Sequence, residues 1–336
     1  MRVAVDAMGG DFAPSAIVAG ALEAVEALGV EVLLVGPEAA VRAELPGGEP
    51  PAGVELLDCS QVIAMHDEPG ASVRTKKDAS IVRGAEAVRD GRADAMVGAG
   101  NTGATMAAAL LRFGRIRGVA RPAIAVPVPV PFGRPHLLVD AGATVDCSPE
   151  WLAQFALLGR AYARLRLGVD DPTVGLLSNG EEPGKGDELR KKTFALLDGM
   201  PGFVGNVEGR DLMTGRPDVV VTDGFTGNVA LKTMEGALQA AAGLVFTVLG
   251  STDEARAASE VVAPMLLQGV TDYLDPDTVG GGLLLGVDGV CVISHGSSSA
   301  RAIVNAIALA DDCVQGEVVA SMKRAIEPET ERAHAR

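Results

Sequence analysis

The sequence predicts an α/β protein: a three-layer α/β/α arrangement on a mostly parallel sheet, with one helical arm. Three observations predict it. Short β-branched runs such as Val219-Val220-Val221 recur along the chain, each broken by a Gly-rich turn that opens an Ala/Leu stretch at helical spacing. That strand–turn–helix rhythm belongs to parallel strands covered by helices on their faces. The 336 residues include 42 glycines, which suit many tight turns, and 48% apolar residues, enough to bury a large core.

The elements follow in order. Residues 2–5 form a strand, and Asp6-Ala7-Met8-Gly9-Gly10-Asp11 a turn. Residues 14–27 carry apolar positions at helical spacing, and Gly29 ends that helix. Strands follow at 32–35 and 54–57, separated by a Pro/Gly-rich loop at 44–53. Residues 65–77 are polar and irregular, with three cations, Arg74, Lys76 and Lys77. They read either as a solvated loop leading to a helix at 80–89, or as a flexible arm offering basic side chains to an acidic partner.

One phrase occurs twice. Residues 94–103 read DAMVGAGNTG and residues 218–227 read DVVVTDGFTG. Both run from a strand through Gly-x-Thr-Gly into an Ala/Leu helix. Such a turn leaves backbone N–H groups free at a helix start, a ready anion site. Either the two turns face one anionic ligand, or both are ordinary strand–helix turns. Neither matches the P-loop, and no clean dinucleotide Gly-x-Gly-x-x-Gly follows the first strand.

Arg112, Arg115, Arg117 and Arg121 cluster within ten positions of an acidic chain. They read as a docking patch for an anionic partner or as salt-bridge partners of the chain's own acids. The Val/Pro alternation at 123–131 predicts an edge strand or a strand closing into a loop, because proline cannot donate to a ladder. Strands follow at 137–139 and 174–177, with a helix at 149–162 between them. The second leads into a Gly-rich loop, 178–186, whose Lys185 can reach a phosphate as a point charge. Helices at 230–249 and 254–274 form a protruding arm for dimerisation or membrane contact, closed by Gly280-Gly281-Gly282. A last strand at 290–293 opens His295-Gly296-Ser297-Ser298-Ser299 and a helix at 300–310; His295 is a candidate general acid or base. The polar tail after Ile326 reads as frayed.

Composition excludes some classes. A net charge of −15 and 3% aromatics argue against binding of nucleic acid by phosphate contacts or base stacking. Cys59, Cys147, Cys291 and Cys313 lack Cys-x-x-Cys spacing, as expected of reduced thiols in a cytoplasmic protein. No signal peptide is expected, since the N-terminus already reads as strand and turn. The longest apolar stretch, 236–249, falls short of the ~20 residues of a membrane span.

Seven collinear motifs carry a resemblance: VDAMGGD at 5–11, AGNTGA at 99–104, DAGATVDCSPEWLAQFA at 140–156, GEEPGKG at 180–186, GNVEGRD at 205–211, DGFTGNVALK at 223–232 and ISHGSSSARAIVNAI at 293–307. Together they resemble the bacterial phosphate acyltransferase family (PlsX), which makes acyl phosphate from acyl-acyl carrier protein. The chain departs from that family's usual pattern at Ala141, at Thr144 and at the arm end, 275–282. The resemblance implies an isocitrate/isopropylmalate dehydrogenase-like fold, with residues 1–336 as one catalytic unit and 230–285 as an arm within it. It implies a homodimer, cytoplasmic and peripheral at the inner face of the membrane, that feeds phospholipid synthesis beside the glycerol-3-phosphate acyltransferase. No cofactor and no metal are expected.

Phosphate is already nucleophilic, so such an enzyme mainly positions it and stabilises an oxyanion. The expected catalytic residues are Lys185, Asp223, Asn228 and His295. Asn101, Thr102, Gly103, Thr226, Gly227 and Ser297 are expected to hold phosphate. Arg74, Lys76, Lys77, Arg112, Arg115 and Arg117 are expected to dock the acidic carrier protein. Two rival readings are a metal- and NAD-dependent decarboxylating dehydrogenase on the same fold, and a non-catalytic scaffold for lipid-synthesis enzymes at the membrane.

Overall fold

The computed structural model describes residues 1–130, 133–253, 255–257, 259–260 and 276–334. One sheet of eleven strands runs through them. At one end β1 (Arg2–Asp6), β2 (Glu31–Gly36), β3 (Val54–Asp58), β4 (Ala95–Gly98) and β11 (Val290–Ile293) lie parallel in the order β3-β2-β1-β4-β11. At the other end β6 (His136–Val139), β9 (Val219–Val221), β7 (Val174–Leu177) and β8 (Phe203–Val207) lie parallel in that order. Between the groups, β10 (Gly282–Leu285) and β5 (Ala123–Val128) pair antiparallel with each other and with their outer neighbours. Three successive reversals leave the two parallel groups pointing in opposite directions. That reversal decides where every strand–helix turn of the molecule can go.

The inner strands are apolar on both faces, as expected of strands covered twice. On β2, Val32 and Leu34 enter one core while Leu33 and Val35 enter the other. The first core is covered by α1 (Ser15–Leu28), α6 (Pro149–Leu167), α9 (Ala300–Gln315) and α10 (Val318–His334), with α2 (Glu38–Ala43) and α7 (Glu188–Leu197) adding Val41 and Leu197. The second is covered by α3 (Pro69–Thr75), α4 (Ser80–Arg89) and α5 (Thr102–Arg112). On that same face a smaller cluster, with Leu138, Val207 and Val220, packs under the start of α8 (Gly224–Leu249). Truncating one such leucine to alanine costs about 2–5 kcal/mol, so each layer contributes substantially to stability.

Several elements differ from the sequence expectation. The Val/Pro strand is central, not an edge: β5 pairs with β10 and with β6. Pro127 is tolerated because the pairing with β10 ends at Ala125, so its missing N–H faces no ladder partner. The irregular stretch at 65–77 contains α3. Glu68 caps it by accepting from Gly70 N and Ala71 N, and Pro69 occupies the first helical position. The arm helix begins at Gly224 rather than 230, and the C-terminal helix runs to His334 rather than fraying after Ile326. Of the arm expected at 254–274, all but a few residues lie outside the described residues.

Candidate functional site

The turn after β9 is held by charge. Asp223 caps α8: its Oδ1 accepts from Thr226 N at 2.8 Å and its Oδ2 from Thr226 Oγ1 at 2.8 Å. Arg190 of α7 pairs with the same carboxylate. It also donates to Thr222 Oγ1 at 3.1 Å and Thr226 Oγ1 at 2.9 Å, and pairs with Asp187 at 3.0 Å. Burial alone would raise the Asp223 carboxyl, but the Thr226 and Arg190 donors outweigh it and hold it below the usual carboxylate range. Asp223 is therefore a fixed anion at the helix start and carries no proton at neutral pH.

This corrects the expectation for Thr226 and Gly227. The N–H of Thr226 is taken by Asp223 Oδ1 and that of Gly227 by Asp223 O at 2.9 Å. The glycines serve another purpose. A Cβ on Gly227 would lie 1.9 Å from Asp140 O, and one on Gly224 2.7 Å from Asp140 Oδ2. The first turn of α8 thus presses on the loop after β6. There the fully buried Asp140 accepts from Ile124 N at 2.9 Å, Gly142 N at 3.0 Å, Ala143 N at 2.9 Å and Thr144 N at 2.6 Å. Burial pushes the Asp140 carboxyl up and these four donors pull against it, leaving it above its ordinary value.

Two expected residues remain open to a ligand here. Asn228 is exposed on α8, with its Nδ2 beside Gly142. Lys185 is exposed on the loop after β7, its stem laid across Gly180. That loop is tied down by Gly186 N donating to Asn179 Oδ1 at 2.9 Å and by Asn206 Nδ2 donating to Glu182 O at 2.9 Å. Among the described residues the Lys185 ammonium has no ion pair.

The first parallel group builds a second cluster. Gly9 and Gly100 approach so closely that a Cβ on Gly9 would lie 2.7 Å from Gly100 N, and Asp11 N donates to Gly296 O at 2.7 Å. The side chain of Asn101 is fully engaged. Its Oδ1 caps α5 at Ala104 N, 3.0 Å away, and its Nδ2 reaches Ala64 O, Met65 O and Asp67 O at 3.1–3.4 Å. It is a tie for the 64–67 loop, not a free phosphate ligand. Among the described residues the N–H groups of Thr102 and Gly103 stay open as first-turn amides. His295 and Ser297 are both exposed, and their Nδ1 and Oγ lie 2.7 Å apart.

The two Gly-x-Thr-Gly turns do not converge within the chain. β4 and β9 lie five strand spacings apart, roughly 24 Å, and run in opposite directions. The bridge between the clusters is α8. Leu231 packs against both the α4–α5 core and the Leu138–Val220 cluster, and Lys232 Nζ comes within 3.2 Å of His295 Nε2. Sequence reasoning missed Arg190 and Lys232. For Lys232 a signal existed: it follows Asn228 by four residues and so shares its helix face.

Comparison with known proteins fixes the family. The model of the "fatty acid synthesis protein" family matches residues 1–321. The chain belongs to this family. A phosphate acyltransferase of Desulfitobacterium hafniense (strain DSM 10664 / DCB-2) is 45% identical over 326 residues, covering 96% of this chain and 97% of its own. One from Anaeromyxobacter sp. (strain K) is 48% identical over 329 residues, covering 97% and 90%. Among solved structures, this family member resembles a phosphotransacetylase from Streptococcus pyogenes, with TM-score 0.59 at 16% identity over 97% of this chain and 94% of that one. A branched-chain phosphotransacylase from Enterococcus faecalis V583 gives 0.58 at 16%, over 94% and 99%. At that identity the likeness extends to the three-layer fold alone.

In this family member the expected basic patch is smaller than its charge count. Lys76 pairs with Asp67 and Arg112 with Glu86, which neutralises both. Arg74, Lys77, Arg115 and Arg117 are exposed, on or just beyond the ends of α3 and α5, which pack together. Arg121 lies 4.6 Å over the Trp151 ring. Among the described residues no helix is long and apolar enough to cross a membrane.

Proposed function

We propose that the chain is a phosphate acyltransferase that moves a fatty acyl group from acyl carrier protein to inorganic phosphate, giving acyl phosphate for phospholipid synthesis. The observation that carries this is the 45–48% identity to phosphate acyltransferases over nearly the whole length of both chains. We read the two clusters that α8 links through Lys232 and His295 as the walls of one cleft, with Lys185 and Asn228 on one wall and His295, Ser297 and the open amides of Thr102 and Gly103 on the other. A phosphate oxygen attacks the thioester carbon, the C–S bond breaks, and the proton lost by the phosphate goes to the departing sulfur. Thioester phosphorolysis needs placement of a dianion and donors for the developing oxyanion. Asp223 serves by anchoring α8 rather than by moving protons.

The exposed Arg74, Lys77, Arg115 and Arg117 suit an acidic carrier protein, with attraction that salt screens. The outer part of α8 leaves Leu244, Val245, Phe246 and Val248 in solvent, 40–65% exposed. Such an apolar surface favours burial against a second copy of the chain and contact with the inner face of the membrane. We place the protein there, beside the glycerol-3-phosphate acyltransferase, with residues 1–336 as one catalytic unit and 230–285 as its arm.

The test is direct. Purified protein, acyl-acyl carrier protein and phosphate should release free carrier thiol, with an acyl phosphate signal in the phosphorus NMR spectrum, only when phosphate is present. Absence of phosphate-dependent thiol release would sink the reading.

A further inference from the structure

We infer that Lys232 is a substrate-contacting cation of this site, holding the phosphate nucleophile on the α8 side of the cleft; the inference rests on the transferase reading above. An ammonium carries three donors and no acceptor. One reaches Glu235 Oε2 at 2.8 Å and one His295 Nε2 at 3.2 Å. The third has no acceptor among the described residues, and the side chain is about half exposed. Two fixed contacts on two elements hold the ammonium in place, while one N–H is left for an anion.

The His295 ring is held from both sides. Lys232 can only donate, and it faces Nε2, while the Ser297 N–H donates to Nδ1 at 3.2 Å. Ser297 Oγ lies 2.7 Å from the same Nδ1. The imidazole thus stands between the Lys232 ammonium and Ser297. His295 and Glu235 act through Lys232 as positioning residues.

Two of the chain's other cations, Arg190 and Lys76, are already committed. Arg190 is bound to Asp223 and Asp187, and Lys76 to Asp67 and Val62 O. Lys185 is open, but it sits on the loop after β7 rather than on the helix that reaches His295. Lys232 joins both sides of the cleft, since it projects from a helix rooted after β9 and meets the turn after β11.

The experiment is steady-state kinetics on the full chain with phosphate and acyl-acyl carrier protein varied separately, together with phosphate binding to the free enzyme followed by phosphorus NMR line broadening. Lys232→Ala should raise the phosphate KM at least about tenfold and weaken phosphate binding to match, with the KM for the carrier substrate within about twofold. Lys232→Arg, which keeps the charge, should recover most of the phosphate KM. Glu235→Gln should give a smaller rise, about threefold. A Lys232→Ala enzyme with phosphate KM within twofold of wild type overturns the inference. So does one in which both KM values rise equally, since that marks a general loss of cleft structure. If the wild-type chain itself makes no acyl phosphate, the transferase reading fails instead, and the two failures are distinct.

Discussion

Arg190 and Asp223, 33 positions apart, form a nearly buried ion pair that locks α7 to the first turn of α8. The guanidinium is only 11% exposed and the carboxylate 7%. Two threonine hydroxyls, those of Thr222 and Thr226, complete the cluster. Removing one member of such a pair leaves the other charge buried and uncompensated, which costs far more than the pair itself contributes.

Arg190→Ala is therefore expected to lower unfolding stability by about 3–5 kcal/mol, read from urea midpoints, with Arg190→Lys recovering part of it. The pH behaviour follows from Asp223. Its carboxyl is depressed in the folded state, so the stability it adds is present above the unfolded value near 3.8 and is lost as pH falls through the folded value. Without Arg190 that loss should begin at a higher pH, and acid unfolding monitored by circular dichroism should shift upward.

Gly227→Ala should be among the most damaging single changes. The added methyl would sit 1.9 Å from the Asp140 carbonyl oxygen, against rigid backbone on both sides. We expect more than about 3 kcal/mol of destabilisation and loss of acyl-phosphate formation. A Gly236→Ala control on the same helix, where a Cβ meets nothing within 4 Å, should gain slightly.

Asn101→Ala should loosen the 64–67 loop rather than abolish an anion contact. It removes a helix cap worth about 1 kcal/mol and releases three carbonyls, so limited proteolysis should cut near residue 65 sooner than in wild type. A rise in phosphate KM with no change in cleavage would contradict this assignment.

His136 on β6 is fully buried, and among the described residues neither ring nitrogen has a hydrogen-bond partner. Burial pulls its folded pKa from 6.5 to about 4, so it is neutral at pH 7. Between those values the unfolded chain takes up a proton that the folded chain refuses. Stability should thus fall as pH drops from 6.5, by about 3 kcal/mol once pH reaches 4. Urea midpoints for His136→Leu should lack that component.

Lys185→Ala and Asn228→Ala test the other wall of the cleft. Each should lower kcat/KM for phosphate by about ten- to a hundredfold while leaving the urea midpoint unchanged, because both side chains are exposed. Wild-type phosphate kinetics would remove that residue from the site.

Much of the fold could be read locally. Runs such as Val219–Val221, Gly-rich turns and apolar spacing are near-neighbour properties, so they determined most strands, most helices and the three-layer class without tertiary information. The openness of Lys185 and Asn228 also followed from local context, since each sits in a turn or on a helix start. Pairing partners could not be read this way. The antiparallel insertion of β10 and β5 brings together residues more than 150 positions apart, and it alone reverses one half of the sheet against the other. The two Gly-x-Thr-Gly phrases were thereby sent to opposite halves of the sheet, five strand spacings apart. The same distant packing decided what each glycine and acid was for. Gly227 makes room for Asp140, Asp223 answers Arg190, and Lys232 meets His295, because short-range contacts between distant segments exist only once the sheet has set their places.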